Sequence, residues 1–467
     1  MKKWVLGLVF ILALSSFPAF SANPPKPGSV CSKQGITKTY KGKKYTCIKS
    51  GKKLLWNKGL AVKTAYPQVT PAPTPTPSPI PTPTPTPTPS WKETEREYLN
   101  NASACKPTRP VGIDESYAHY GFPRGAHFLP SQGSYKALII PVDFLDARAK
   151  VNTQENSVPY IDNFKRYWFS MSRGKVQFEI DTLPNWISLP KTAREYAGEF
   201  PHSPQMRDYA NLVISIVDPE VNFANYKIVY IIPPDYVQNF FAVGPVVSSG
   251  NGNYFKSAEG PINNLVIGTN PGISMGGIKW KWLAHETGHL FGLAHPHSYE
   301  NNDKRLASIF SIMDFGFIAS ELYGYERWLI DWIPEDSIRC FDLRNQFTFR
   351  QIHRLSPLGS GVGSELLAFR ISERKALIIE SRIANEFDSL PKNYEGILVY
   401  EVDSSKLDGA IKPILGNRYE IDQSKPEYNG ARVVGTLRVG EFVQYEGITI
   451  SILDRIGDLF VIGALRG

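Results

Sequence analysis

The hydrophobic and polar positions beyond residue 91 predict alternating strands and helices. Residues 135–142 form a continuous apolar run, which is typical of a buried strand, whereas residues 175–180 alternate like a half-exposed strand. Residues 158–171 carry aromatic and apolar side chains at helical spacing, and Ser203-Pro204 offers a cap and a first-turn proline for a second helix. Further strands are predicted at 226–232 and 264–268.

After residue 340 the helical signal fades and only strand-like runs remain. They are 365–371, 376–382, 396–402, 442–444, 448–453 and 459–462. This pattern predicts a β-rich, sandwich-like domain. Near the N-terminus, residues 30–59 alternate short β-type runs with Gly-Lys turns, which predicts a small β-rich module. The expected fold class is therefore α+β.

The chain begins with the pattern of a secretory signal peptide. Lys2 and Lys3 precede an apolar run over residues 4–14, and small residues follow at 19, 21 and 22. We expect a signal peptide over 1–22 and a secreted protein, in contact with the cell wall in one interpretation. No other run approaches 18 apolar residues, so no transmembrane segment is expected.

A proline-rich tract separates two parts of the chain. Over 71–90, within a linker placed at 67–90, proline alternates mostly with threonine or serine, which favours extended polyproline II and therefore a spacer. The expected organisation is a module at 23–66, this linker, a catalytic domain at 91–335 and a β-rich domain at 336–467.

Charge is concentrated in the module. The chain has a formal net charge of +8, and residues 23–63 contain eleven lysines and no arginine, aspartate or glutamate. The protein is thus not a uniformly basic nucleic-acid binder, and the module lacks a nucleic-acid motif. Two interpretations stay open: adhesion to an anionic wall or matrix polymer, or a solvated cap without a ligand.

Four cysteines in an exported chain most simply form two disulfides. Cys31 and Cys47 lie within the module, which is too short to form much of a core without a cross-link. The remaining pair is Cys105 with Cys340. The alternative, a free Cys105 that ligates a metal in a latent form, would leave Cys340 unpaired.

The candidate chemistry lies in residues 285–295, HETGHLFGLAH. His285 and His289 are four apart, so a helix places both imidazoles on one face, towards one metal ion. Glu286 lies about 100° round the helix, close enough to reach a metal-bound water. Gly292 can adopt the left-handed conformation that ends a helix, and the turn would return His295 as a third ligand.

Three nitrogen ligands leave one position of a tetrahedral zinc site open for water, which is the catalytic arrangement. Glu286 would then serve as general base. The structural alternative is three histidines satisfied by hydrogen bonds in a core. For calcium, the polar segments 250–253 and 301–303 offer oxygen ligands, and the alternative there is an ordinary polar turn.

The motif resembles that of the metzincin clan of zinc endopeptidases, HExxHxxGxxH followed by a Met-turn. Met313, within SIMD, looks like that turn. The wider chain is most similar to secreted bacterial proteases of the immune-inhibitor-A-like group, through 137–147, 167–181 and 326–334. The resemblance implies a catalytic domain with a mixed twisted sheet, an active-site helix and one catalytic zinc, followed by a β-rich region.

The sequence departs from the pattern of some relatives. Where some metzincins have a tyrosine two residues after the methionine, this chain has Phe315, so Tyr323 or Tyr325 would have to take that role or else simply pack. Some immune-inhibitor-like proteases use a carboxylate as third ligand, whereas His295 stands here; His297 is expected at the surface or behind the ligands.

The expected function is a secreted zinc metalloendopeptidase that hydrolyses peptide bonds of extracellular proteins. The alternative is a catalytically inactive, metzincin-like surface protein that binds anionic polymers. Retention of Glu286 beside all three histidines favours the enzyme.

Overall fold

A computed structural model describes most of the chain. It covers residues 26–40, 43–61, 101–113, 117–197, 204–234, 236–237, 245–247, 255–268, 278–296, 310–314, 320–345, 348–390, 392, 395–407, 409–414 and 436–467. The predicted signal peptide and the proline-rich linker therefore lie outside the described residues. The chain divides into two compact units, Met1–Ser90 and Trp91–Gly467, and each is taken by itself below.

The first unit contains the predicted β-rich module. Its four strands are β1 (Thr37–Tyr40), β2 (Lys43–Ser50), β3 (Lys53–Trp56) and β4 (Leu60–Ala61). All pairs are antiparallel, with β1 on one side of β2 and with β3 and β4 on the other. The buried core is small: Cys31, Tyr45, Cys47 and Trp56. Cys31 and Cys47 form a disulfide, as predicted, so a covalent cross-link supplements this core.

The second unit contains five helices and seventeen strands among its described residues. The helices are α1 (Thr153–Met171), α2 (Ala193–Ala197), α3 (Pro204–Val217), α4 (Lys279–Leu290) and α5 (Gly324–Leu329). The strands up to α4 are β5 (Gly133–Asp143), β6 (Val176–Thr182), β7 (Ile187–Ser188), β8 (Ile228–Ile232), β9 (Pro245–Val247), β10 (Lys256–Ser257), β11 (Gly260–Pro261) and β12 (Asn264–Ile267). The later strands are β13 (Ile338–Asp342), β14 (Phe349–Leu355), β15 (Leu366–Arg370), β16 (Lys375–Arg382), β17 (Gly396–Asp403), β18 (Ile411–Pro413), β19 (Phe442–Tyr445), β20 (Ile448–Ile456) and β21 (Leu459–Arg466).

A mixed sheet forms the centre of the first half of this unit. Its order is β6-β5-β8-β12-β9, with β9 antiparallel to β12 and the other pairs parallel, and β7 pairs with β5. Alternate residues of β5 enter different cores, because successive side chains of a strand point to opposite faces. Ala137 and Ile139 join the core that contains α1 and α4, whereas Leu138 and Ile140 join the core that contains α3.

The second half is a β-sandwich. One sheet has the order β13-β15-β16-β17-β18 and the other β14-β21-β20-β19. Strand β17 is buried on both faces: Ile397 and Val399 lie in the core between the two sheets, while Leu398 and Tyr400 lie in the core that also contains α1 and α4. The α+β fold class is confirmed. Because this core includes residues on both sides of position 335, the division into domains at 335/336 stays a prediction.

The second predicted disulfide also forms. Cys105, in a short 3-10 helix, is bonded to Cys340 in β13, so the alternative of a free Cys105 that ligates a metal is wrong. The bond joins positions 235 residues apart and therefore restricts the unfolded chain strongly. Within the described residues, no helix combines the length and the apolar character that crossing a membrane requires.

Candidate metal centre

Helix α4 carries the candidate site and is buried on nearly all sides. It packs against α1, and its own Trp282 and Leu283 belong to the main core. The hydroxyl of Thr287 lies 2.9 Å from the hydroxyl of Tyr230 in β8, which ties the helix to the central sheet. A helix fixed on several sides holds its side chains in defined positions, as a ligand site requires.

Two histidines project from α4 with their ring orientations set by backbone carbonyls. His285 Nδ1 lies 2.7 Å from the Ile312 carbonyl oxygen, and His289 Nδ1 lies 2.7 Å from the Leu293 carbonyl oxygen. A carbonyl only accepts hydrogen bonds, so each Nδ1 carries the proton. In the neutral imidazole Nε2 then keeps its lone pair, which is the form that binds a metal ion.

The turn after α4 returns the third histidine. Gly292 has φ +85°, a conformation that favours glycine, and an added Cβ would lie 2.7 Å from the Phe128 ring. The chain reverses here as predicted, and His295 Nε2 comes to 3.2 Å from His285 Nε2. Ligand atoms of His285, His289 and His295 all lie within 4.8 Å of one another.

This cluster fits a metal ion. Two imidazole nitrogens 3.2 Å apart repel each other unless a proton or a cation lies between their lone pairs. Three neutral imidazoles are a donor set that suits zinc and neighbouring transition metals, and they do not suit magnesium or calcium, which prefer oxygen. The three histidines could therefore hold a metal ion.

Glu286 adds a buried carboxyl beside the cluster. Only 3% of the residue is exposed, and burial raises the pKa of the carboxyl to about 8. Its Oε2 has no hydrogen-bond partner among the described residues. A buried carboxyl oxygen without a partner is costly, and a nearby cation would favour its ionised form. The carboxyl is thus placed for a role in proton transfer.

Met313 lies against the backbone of the ligand helix. It is fully buried, and a Cβ added to Gly288 would collide with its Sδ. The lack of a side chain at Gly288 therefore lets the methionine approach α4 between the two histidine positions. The preceding residue, Ile312, supplies the carbonyl that fixes His285. The segment predicted as a Met-turn thus contacts both the helix and one ligand.

The remaining sequence candidates divide into two groups. Tyr323 and Tyr325 are fully buried, and the Tyr325 hydroxyl donates to the Tyr120 carbonyl at 2.6 Å, so packing accounts for their positions. Phe315, His297 and the segments 250–253 and 301–303 lie outside the described residues.

Glu326 and Tyr120 contact the segments around the site and were not among the predicted site residues. Glu326 is fully buried; its Oε1 lies 2.8 Å from the Tyr120 hydroxyl, and its Oε2 accepts a hydrogen bond from the Ser311 hydroxyl. One signal was available. The carboxyl lies in a segment rich in aromatic and apolar residues, YGYERWLIDWI, and a charged side chain in such a segment is often buried with the rest.

Comparison with known proteins gives little further information. No family model matches the chain, and no curated protein matches it. Among solved structures, a crystal structure of wild-type OgpA from Akkermansia muciniphila is similar over 62% of this chain and 94% of that chain, with 11% sequence identity and a TM-score of 0.27. At this TM-score the likeness carries no argument about fold or function.

Proposed function

We propose that the protein is a zinc-dependent endopeptidase that acts on extracellular proteins. One observation carries the proposal: one ring nitrogen from each of three imidazoles converges within 4.8 Å of the others, next to a buried carboxyl with one oxygen that has no hydrogen-bond partner among the described residues. His285, His289 and His295 would hold the zinc ion. The two disulfides support an oxidising, extracytoplasmic location, because such bonds persist mainly in exported proteins.

The residues of this chain suggest how hydrolysis would proceed. Zinc, when bound, would lower the pKa of a water molecule and polarise the peptide carbonyl. Glu286 takes a proton from the attacking water and delivers it to the amine that leaves. Its burial excludes bulk solvent, which strengthens the electrostatic interactions of the carboxylate. The carbonyls of Ile312 and Leu293 keep two imidazoles in the tautomer that ligates.

The rival proposal is an inactive surface protein, which would keep the histidine cluster but have no catalytic activity. Glu286 argues against it. A carboxyl that is 3% exposed and has an oxygen without a hydrogen-bond partner costs stability, and a purely structural protein would gain by replacing it.

Removal of the metal tests the proposal. The purified mature chain should contain about one zinc and should cleave unfolded casein. Dialysis against a chelator should abolish cleavage, and added zinc should restore it, whereas added calcium alone should not. Folded protein that takes up no zinc would contradict the metal site, and zinc-loaded protein that leaves casein and other unfolded proteins intact would favour the inactive surface protein.

We further propose that the module binds an anionic wall or matrix polymer through one face of its sheet. Cross-strand partners share a face, so the pairings place Ile48 with Leu55 and Lys44 with Leu60. Ile48 is 45% exposed and Leu60 is 75% exposed. Lys53 lies on the same face, because its partner in β2 is two positions after Ile48. The opposite face carries the core around the disulfide. An open face with lysines and no acidic neighbours complements a polyanion.

Charge reversal on the two faces tests this second proposal. In the full mature chain, Lys44→Glu with Lys53→Glu should weaken binding to immobilised polyphosphate or heparin about tenfold. The matched control is Lys43→Glu with Lys49→Glu, on the other face of β2, and should weaken it less. Equal losses would contradict a binding face, and no binding of either polymer in low salt would favour the solvated cap.

A further inference from the structure

A buried glutamate in α5 has all its hydrogen-bonding contacts with protein groups. Glu326 is fully buried. Its Oε2 accepts hydrogen bonds from the Ser311 hydroxyl at 2.7 Å and from the Tyr323 backbone N–H at 2.8 Å. Its Oε1 lies 2.8 Å from the Tyr120 hydroxyl. The Tyr323 contact is that of a capping box and fixes the start of α5. The other two contacts lead away from the helix.

One contact leads to the third histidine. The Tyr120 hydroxyl lies 2.7 Å from the Ala294 carbonyl oxygen, and Ala294 immediately precedes His295. Tyr120 is itself fully buried, so neither hydrogen bond competes with bulk water. Through Tyr120, Glu326 therefore restrains the backbone that carries His295.

The other contact leads to the Met313 segment. The Ser311 hydroxyl donates to Glu326 and accepts a hydrogen bond from the Met313 backbone N–H at 3.0 Å. The residue between them, Ile312, supplies the carbonyl that orients His285. One side chain is thus connected to the supports of two of the three histidines, which lie on separate segments of the chain.

The number of protons in this network determines the charge of Glu326. The Tyr120 hydroxyl has one proton, but it faces two acceptors when the Glu326 carboxyl is ionised. If the carboxyl is neutral, it donates to Tyr120, and Tyr120 donates to Ala294, so that every contact has one proton. Burial, the largest influence, raises the pKa of Glu326 to about 7, in the direction that this count requires.

We propose that Glu326, held as a neutral carboxylic acid, is a positioning residue of the metal centre that holds the segments of His295 and Met313 in place through Tyr120 and Ser311. The inference rests on the proposed function, because it assumes that the histidines bind zinc. It makes Glu326 neither a ligand nor a participant in proton transfer.

One conservative variant and two disruptive variants test whether Glu326 positions the metal centre. Glu326→Gln supplies a permanent N–H to Tyr120 and still accepts from Ser311, so its zinc affinity should stay within about threefold of wild type. Glu326→Leu removes every hydrogen bond of the carboxyl, and Tyr120→Phe removes the hydroxyl that joins Glu326 to Ala294. Both should weaken zinc binding about 10- to 100-fold, the usual cost of removing a group that orients metal ligands. Zinc affinity is measured by competition with a chelating dye in the full mature chain.

A second readout separates positioning from general stability. The visible absorption of the Co²⁺-substituted protein should change in Tyr120→Phe and remain that of wild type in Glu326→Gln. The matched control is Glu365→Gln. Glu365 is equally buried, but it accepts from the backbone N–H groups of Gly359 and Gly361, so this change should lower the unfolding midpoint without changing zinc affinity.

The outcomes distinguish the two hypotheses. Wild-type protein that binds no zinc overturns the metal site and this inference together. Wild-type protein that binds zinc, with Tyr120→Phe and Glu326→Leu within threefold of it, overturns the positioning role alone. A Glu326→Gln variant that loses as much affinity as Glu326→Leu overturns the neutral acid, because the network would then need a carboxylate.

Discussion

Glu286→Gln should reduce casein hydrolysis by at least about 10²- to 10⁴-fold, the range expected when a general acid–base group is lost, while zinc binding is retained. The amide has nearly the same shape as the carboxyl but cannot accept a proton from water at neutral pH. The three histidines are unchanged by the substitution, and His285 and His289 keep the carbonyl contacts that orient them. The variant should therefore lose casein hydrolysis and keep its zinc.

The measurement is casein cleavage and zinc content on the same samples of wild type and variant. Glu179→Gln is the control, because this glutamate lies on β6 with a largely exposed side chain and should leave both quantities unchanged. A variant that cleaves casein at the wild-type rate would remove Glu286 from the mechanism. A variant that has lost its zinc would instead show that the carboxyl supports the site structurally.

The position of the histidine cluster was predictable from local sequence alone. Helical spacing places His285 and His289 on one face, and Gly292 reverses the chain, so the three ligands lie within eleven residues. Their environment was less predictable. Helix α4 is buried almost all round, so it has no polar face to mark it. Its contacts with α1 and with Tyr230 of β8 involve residues far away in sequence.

Several elements lacked a local signal. Strand β14 was missed because its sequence, FRQIHRL, places two polar residues between successive apolar ones and so lacks the alternation of a half-exposed strand. It is held by its pairing with β21, more than a hundred residues away. Helix α1 begins five residues before the predicted start, where Asn152 caps it by accepting from the Glu155 backbone N–H at 2.8 Å. Polar first turns carry no apolar periodicity, so only the cap marks them.

The contacts of Glu326 also depend on residues far apart in sequence. Tyr120 lies more than two hundred positions away, and nothing in either local sequence pairs them. A buried carboxyl can be suspected from its apolar neighbours, but its partners are set by how the whole chain packs. The same limit applies to the contacts that join the sandwich to the start of α5, in which Asp388 and Glu380 accept hydrogen bonds from the backbone N–H groups of Glu321 and Gly324.

Arg382 forms ion pairs with both of these carboxylates. It is almost fully buried in β16, where Nη1 lies 2.9 Å from Glu380 Oε1 and Nε lies 2.9 Å from Asp388 Oδ2. Asp388 Oδ1 also accepts from the Glu321 backbone N–H at 2.8 Å, and Glu380 Oε2 accepts from the Gly324 backbone N–H at 2.7 Å. The guanidinium thus neutralises two carboxylates that hold the chain just before α5.

Arg382→Met should therefore destabilise the protein by about 3–5 kcal/mol, because it leaves two buried carboxylates without their cation. The free energy of unfolding is measured by urea titration with tryptophan fluorescence. Arg166→Met is the matched control: Arg166 pairs with Glu386, both side chains are more than half exposed, and its loss should cost less than about 1 kcal/mol. If the two variants lost equal stability, the buried pairs would contribute no more than a surface pair. The difference between them measures the cost of leaving carboxylates unpaired beside the core that the sandwich shares with the helix of the histidine cluster.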